Sequence, residues 1–132
     1  MSQQIPQKSA IGLDGNLAAA LGYPIGILGL INFIIEKDNR FVKFHGIQSV
    51  LYSVGLGVVF TAIWIVMVII GVIFSMISDT LGVLIWGLFS LLGLALFVLW
   101  IGGLLFFAYK AYQGQMFKLP IIGNLAEKLA NK

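Results

Sequence analysis

The chain's only histidine, His45, lies in the stretch RFVKFHGIQS, which stands directly before a long apolar run. An imidazole can act as a general base or bind a metal ion, but either task needs further groups close by. The chain has no cysteine, and the acidic residues nearest in sequence, Glu36 and Asp38, are explained equally well as solvated loop charges. We therefore predict no catalytic residues, no metal site and no cofactor, and we expect the protein not to be an enzyme.

The neighbours of His45 share one face if the segment is helical, because they recur at helical spacing. One interpretation is an interfacial anchor, in which the rings lie among lipid headgroups and Arg40 and Lys43 meet lipid phosphates. A second is that His45 and Gln48 face other helices and form hydrogen bonds there. A catalytic role is the third. The stripe consists of Phe41, Phe44, His45, Gln48 and Tyr52.

A second group of aromatic and basic side chains lies at the end of the last apolar run. Aromatic and basic residues are enriched at the edges of membrane-spanning segments. The two groups together form a predicted collar on one side of a membrane. The candidate docking or headgroup-binding residues are Arg40, Phe41, Lys43, Phe44, His45, Gln48, Tyr52, Tyr109, Lys110 and Tyr112.

Composition indicates an integral membrane protein. Sixty per cent of the 132 residues are hydrophobic and only 10% are charged, whereas about a quarter are charged in an ordinary soluble domain. The net charge of +3 comes from scattered residues that make no basic face, so we expect no nucleic-acid partner. The length suits one domain.

The apolar runs predict an all-α membrane protein with three transmembrane helices, at about 17–35, 47–77 and 81–111. The second and third helices are long, and the short polar break at 78–80 makes them antiparallel neighbours. These spans form a domain over 16–113, preceded by a polar tail at 1–15 and followed by an interfacial tail at 114–132. No ionisable residue lies in the middle of a span, which argues against an ion-coupled carrier.

Glycines predict close helix packing in the first span. Gly22 and Gly26 have G-x-x-x-G spacing, and Gly29 follows one turn later. Helices can approach closely at such positions because no side chain separates the backbones.

Basic residues predict the orientation. With three spans, seven of the eight Lys and Arg residues fall on one side and only Lys8 falls on the other. Because the excess of Lys and Arg faces the cytoplasm, we predict that the N-terminus is outside and the C-terminus is cytoplasmic. The expected location is the inner (plasma) membrane, as a multi-pass protein.

Two blocks, INFIIEKDNRFVKFHGIQSVLY and AYKAYQGQMFKLPIIGNLAEK, resemble a family of small prokaryotic membrane proteins of unknown function. That family is similar to the channel-forming twenty-kilodalton Tic subunit of the chloroplast inner-envelope import translocon. The resemblance implies a helical membrane protein with a role linked to protein passage across membranes. The residues that carry it are Glu36, Asn39, Arg40, Phe41, Phe44, His45, Gln48, Tyr112, Gly114, Pro120, Gly123 and Ala126.

Two functions remain open at this point. The first is a non-enzymatic structural or assembly component of a membrane complex. The second is a subunit of an oligomeric channel or protein-translocation pore, as the resemblance implies. The expected partners are the lipid bilayer and either a second copy of the chain or another membrane protein.

Overall fold

The computed structural model describes residues 8–131, and the regular secondary structure of this part is helical. It contains five helices: α1 (Gly15–Leu21), α2 (Gly26–Ile35), α3 (Arg40–Ile77), α4 (Asp79–Tyr112) and α5 (Ile122–Ala130). The chain divides into two compact units. Unit 1 comprises 1–54 and 103–132, and unit 2 comprises 55–102.

Unit 2 is an antiparallel pair made from the adjoining parts of α3 and α4, which Ser78 alone separates. Small residues let the two helices approach. A Cβ atom added at Gly71 would lie 2.7 Å from Cε2 of Trp86, and one added at Gly82 would lie 3.0 Å from Cα of Ser75. The Trp86 indole also donates a hydrogen bond of 3.2 Å to the Ser75 hydroxyl. The predicted long, antiparallel second and third helices are therefore present.

The outer surface of unit 2 is apolar. Val66 is 54% exposed, Leu91 is 68% exposed and Met76 is 81% exposed. Soluble monomers rarely expose so many large apolar side chains together, whereas lipid covers such a surface in a membrane. Each helix contributes roughly two dozen residues, or about 35 Å at 1.5 Å per residue, which is enough to cross a hydrocarbon core of about 30 Å.

In unit 1, the segment predicted as the first span forms two short helices and not one, so a crossing by this segment is not confirmed. The chain turns at 22–25, around Pro24, and α1 and α2 fold back against each other as a hairpin. Asn32 of α2 donates to the Ala18 carbonyl of α1 at 2.9 Å. Neither helix reaches the ~20 residues needed for a crossing, so α3 and α4 are the only helices of the described chain long enough to span a membrane.

Of the three glycines in the predicted packing motif, Gly22 and Gly29 lie at helix contacts and Gly26 does not. A Cβ atom added at Gly22 would lie 3.1 Å from Cα of Gly29, so these two glycines pack α1 against α2. Gly29 also contacts α3, where a Cβ atom added at Gly46 would lie 2.8 Å from the Gly29 carbonyl oxygen. Gly26 has no neighbour within 4 Å of an added Cβ atom and lies exposed.

The C-terminal segment of unit 1 packs against the first turns of α3. Helix α4 ends at Tyr112, Gly114 has a φ of 79°, and the Gln115 amide donates to the Lys110 carbonyl. This is the hydrogen bond of a Schellman motif, which reverses the chain at a helix end. The following residues, 115–119, run along α3, and α5 then buries Ala126 and Ala130 against Phe44 and Ile47 (the latter two in α3).

The predicted N-terminal tail is folded where the structure describes it. Residues 1–7 lie outside the described part. The Ala10 amide donates to Oε2 of Glu36 at 2.7 Å, and the Asp14 carboxylate accepts from the Asn16 amide at the start of α1. The predicted interfacial tail at 114–132 likewise belongs to unit 1.

Candidate functional site

A chain of hydrogen bonds connects Tyr23, His45 and Gln48 in the interior of unit 1, and we call it the buried polar network. The Tyr23 hydroxyl lies 2.6 Å from Nδ1 of His45. The Gln48 amide nitrogen donates to the same hydroxyl at 2.8 Å. The Tyr23, His45 and Gln48 side chains are at most 1% exposed. Helix α3 places His45 and Gln48 one turn apart on the face that meets the Tyr23 ring.

The partners of the His45 ring assign its tautomer. Nε2 lies 3.0 Å from the Gln115 carbonyl oxygen. Because a carbonyl oxygen can only accept, Nε2 carries the hydrogen and donates it. Nδ1 of the neutral ring is then an acceptor, and the Tyr23 hydroxyl donates to it. Donors and acceptors therefore alternate along the network, and the ring nitrogens have no free position for a ligand.

Gln48 binds the extended segment 115–119 through both ends of its amide. Its Nε2 donates to the Phe117 carbonyl at 2.8 Å, and its Oε1 accepts from the Leu119 amide at 3.1 Å. A neighbouring β-strand would pair with the same two backbone groups, the carbonyl of one residue and the amide two residues later. One side chain thus replaces a strand partner and holds the segment against α3.

Aromatic rings enclose the network. The Phe41, Phe44 and Tyr23 rings stand edge-on to the His45 ring, with centroids 4.6, 5.0 and 5.6 Å away. Edge-to-face pairs of this kind add about 0.5–1.5 kcal/mol beyond the burial of their area. Phe107 of α4 lies 5.9 Å from the Tyr23 ring. Together these contacts tie the hairpin, α3 and α4 into one core.

A second set of buried polar groups closes the start of α3. The Asn39 side chain accepts from the Val42 amide at 3.2 Å, as a helix N-cap does. Oε1 of Glu36 accepts from the Asn39 amide at 3.1 Å, while its other oxygen binds the Ala10 amide. Glu36 is 3% exposed, so the interpretation of Glu36 as a solvated loop charge is wrong. Its carboxylate fixes the N-terminal segment to α3.

The structure divides the predicted docking residues into two groups. Phe41, Phe44, His45 and Gln48 are buried in the core of unit 1, so they do not face lipid headgroups. His45 and Gln48 form hydrogen bonds within the protein, as the second interpretation expects. A docking or headgroup role stays a prediction for the residues with exposed or half-buried side chains, which are Arg40, Lys43, Tyr52, Tyr109, Lys110 and Tyr112.

Sequence analysis missed the partners that complete the site. Tyr23 and Asn32 are the polar exceptions in an otherwise apolar run. Because a buried polar side chain needs a hydrogen-bond partner, these two residues indicated that partners exist elsewhere in the chain. The carbonyls of Gln115 and Phe117 gave no signal, since every residue carries the same backbone groups.

The hydrogen bonds of the site join the hairpin, α3 and the segment 115–119 within unit 1. Among the described residues, every buried side-chain nitrogen or oxygen has a hydrogen-bond partner. Within residues 8–131, no group of three His, Cys, Asp or Glu side chains comes together as a metal site.

Comparison with known proteins identifies the family. The sequence profile of the magnetosome magnetite crystal formation protein family (MamF/MmsF) matches residues 10–126. The chain belongs to this family. The matched range includes α1 to α4 and the residues of the buried polar network.

Relatives in archaea support a membrane protein. A UPF0132 membrane protein of Methanocaldococcus jannaschii is 39% identical over 122 residues, which are 92% of this chain and 93% of the relative. One of Archaeoglobus fulgidus is 35% identical over 114 residues, 86% of this chain and 92% of the relative. No solved structure gives a significant match. These matches do not link the chain to the chloroplast import subunit, so the implied import role has no support.

Proposed function

We propose that the protein is a non-enzymatic structural component of a membrane assembly. The observation that carries the proposal is the use of its buried polar groups. His45, Gln48, Tyr23 and Glu36 are bonded to other parts of the same chain, so their chemistry serves the fold. The family's name refers to the formation of magnetite crystals. We carry over from that name a role in building a larger structure at a membrane.

In the proposed topology, α3 and α4 cross the inner (plasma) membrane. Both termini of the chain then lie in the cytoplasm. All eight Lys and Arg residues lie in 1–54 and 103–132, and the single charged residue of 55–102 is Asp79. The cytoplasmic side carries the excess of Lys and Arg. Two spans put every basic residue on that side, whereas three spans would leave Lys8 on the other.

The docking surface of this proposal is the exposed end of α4 together with the start of α3. Tyr109 and Tyr112 are 58% and 60% exposed, and Lys110 lies 5.5 Å from the Phe106 ring centroid. Arg40 contributes a further exposed cation and also donates to the Asn131 side chain. Amphipathic rings and cations suit either headgroups or a partner membrane protein.

Site-specific photo-crosslinking in cells tests the docking role. A photoreactive residue at Tyr112 should give a discrete crosslinked product, while the same residue at Met76, a comparably exposed position in unit 2, should give lipid adducts alone. If neither Tyr109 nor Tyr112 yields a protein or headgroup adduct, the docking surface is wrong.

Reconstitution tests the channel alternative. Liposomes that contain the purified protein should show ion flux no greater than empty liposomes, with a known channel-former as positive control. Flux that depends on the amount of protein would overturn the structural role in favour of a pore.

A further inference from the structure

Helix α2 and its C-cap residue Glu36 have polar side chains inside, and α2 has large apolar side chains outside. Asn32 and Glu36 face the interior and are 1% and 3% exposed. On the opposite face, Ile27 and Ile34 are 63% and 65% exposed, and Leu30 between them is 38% exposed. A helix that packs on a core in water shows the reverse arrangement. The outer face of α2 is therefore built for an apolar environment.

The two ends of the α1–α2 hairpin differ in polarity. At the open end, Asp14 precedes α1, and the exposed Lys37 and Asp38 follow α2. At the closed end, residues 22–27 read GYPIGI and include no charged residue. Pro24 to Ile27 are nevertheless exposed. Polarity thus falls from the open end to the closed end, along the axis of the hairpin.

The connection at 22–25 has its backbone amides paired within the protein. The amides of Gly22, Tyr23 and Ile25 donate to carbonyls of α1 at 3.3, 3.3 and 3.0 Å, and Pro24 has no N–H group. The connection between the helices therefore presents no unpaired amide. Irregular backbone at membrane depth must satisfy its polar groups within the protein. The Tyr23 hydroxyl meets the same condition inside the buried polar network.

We propose that the α1–α2 hairpin inserts, closed end first, into the leaflet on the side of the chain termini, with lipid acyl chains covering the outer face of α2. Helix α2 is about 15 Å long, which matches one leaflet of a hydrocarbon core of about 30 Å. The surroundings become less polar with depth in a bilayer, which matches the decrease in polarity along the hairpin axis. The surface of a protein partner would not require such a gradient. The inference rests on the two-span topology proposed above, because a hairpin that enters and returns adds no crossing.

Spin-label depth measurements test the insertion, and the cysteine-free chain allows single labels. The full-length variants Ile27→Cys, Ile34→Cys and Lys37→Cys are labelled and reconstituted in phosphatidylcholine–phosphatidylglycerol vesicles, with Val66→Cys as the reference for a span. Oxygen concentrates in acyl chains and a neutral nickel complex in water. We expect the ratio of oxygen to nickel collisions to fall from Ile27 to Ile34 to Lys37, with a several-fold difference between the first and the last.

Each other pattern overturns the insertion. Equal ratios at Ile27 and Ile34 mean that the hairpin lies flat on the membrane. Nickel-dominated collisions at both mean that it lies in water. Weak collisions with both reagents mean that protein, such as a second copy, covers α2. Side-specific labelling at Lys8 and Asn131, described in the Discussion, measures the topology independently, so its failure is distinguishable from a failure of insertion.

Discussion

Gln48 uses both amide hydrogens and its oxygen inside unit 1, with partners on the hairpin and on the C-terminal segment. His45 uses both ring nitrogens in the same way. Removing one partner of a buried hydrogen bond lowers stability by more than the bond itself contributes. The remaining partner stays buried without water and without a hydrogen bond, whereas in the unfolded chain it binds water. The stability of the C-terminal segment should therefore depend on single side chains of α3.

We expect Gln48→Ala to lower the free energy of unfolding by roughly 1–3 kcal/mol, because the Phe117 carbonyl and the Leu119 amide lose their partner. Thermal unfolding in mild detergent measures the loss. Trypsin should also cleave faster after the exposed Lys118, since the segment that carries it is released. The matched control is Gln113→Ala, which removes an exposed bond to the Tyr109 hydroxyl and should change stability by less than about 0.5 kcal/mol. Equal losses in the two variants would contradict this assignment.

At the scale of elements, glycine decides how closely the hairpin approaches α3. The backbone of α2 at Gly29 and Phe33 lies directly over Gly46 of α3. Backbone atoms in two packed helices cannot move aside as a flexible side chain can. Gly26, by contrast, faces open space although it completes the G-x-x-x-G spacing.

We therefore expect Gly46→Ala to be destabilising and Gly26→Ala to be tolerated. An added Cβ atom at Gly46 would lie 2.8 Å from the Gly29 carbonyl oxygen and 2.9 Å from the Phe33 nitrogen, and overpacking of this kind costs about 1–3 kcal/mol. Parallel thermal unfolding of the two variants in detergent gives the comparison. A larger loss at Gly26 would show that the sequence motif, and not the contact at Gly46, governs packing.

At the scale of the whole molecule, the number of spans follows from where the first apolar run goes. If it folds back within unit 1, both ends of the chain lie on the same side of the membrane and all eight basic residues share that side. The turn between α3 and α4 then faces the opposite side.

We expect single cysteines at Lys8 and Asn131 to be protected from a membrane-impermeant maleimide in intact cells and labelled after lysis. A cysteine at Thr80, the exposed second residue of α4, should be labelled in intact cells and serves as the positive control. Labelling of Lys8→Cys in intact cells, with Asn131→Cys protected, would restore the three-span topology and overturn the two-span proposal.

The sequence by itself determined that the protein is helical and embedded in a membrane, since both conclusions depend on composition and on the length of apolar runs. It also determined the two long helices, because no polar residue interrupts 54–74 or 81–108 except one hydroxyl residue in each, Thr61 and Ser90. The tertiary structure decided the path of the first apolar run. Hydropathy counts residues and is the same for a straight span as for a hairpin, and the choice depends on contacts such as Gly22 with Gly29 and Asn32 with Ala18.

The tertiary structure also decided what the histidine stripe is for. Helical spacing placed Phe41, Phe44, His45 and Gln48 on one face, but spacing cannot say whether lipid, water or protein covers that face. The segment 115–119, about 70 residues away in sequence, covers that face. Its backbone groups form hydrogen bonds with His45 and Gln48. Backbone groups are the same in every residue, so this partnership becomes visible only when the chain is folded.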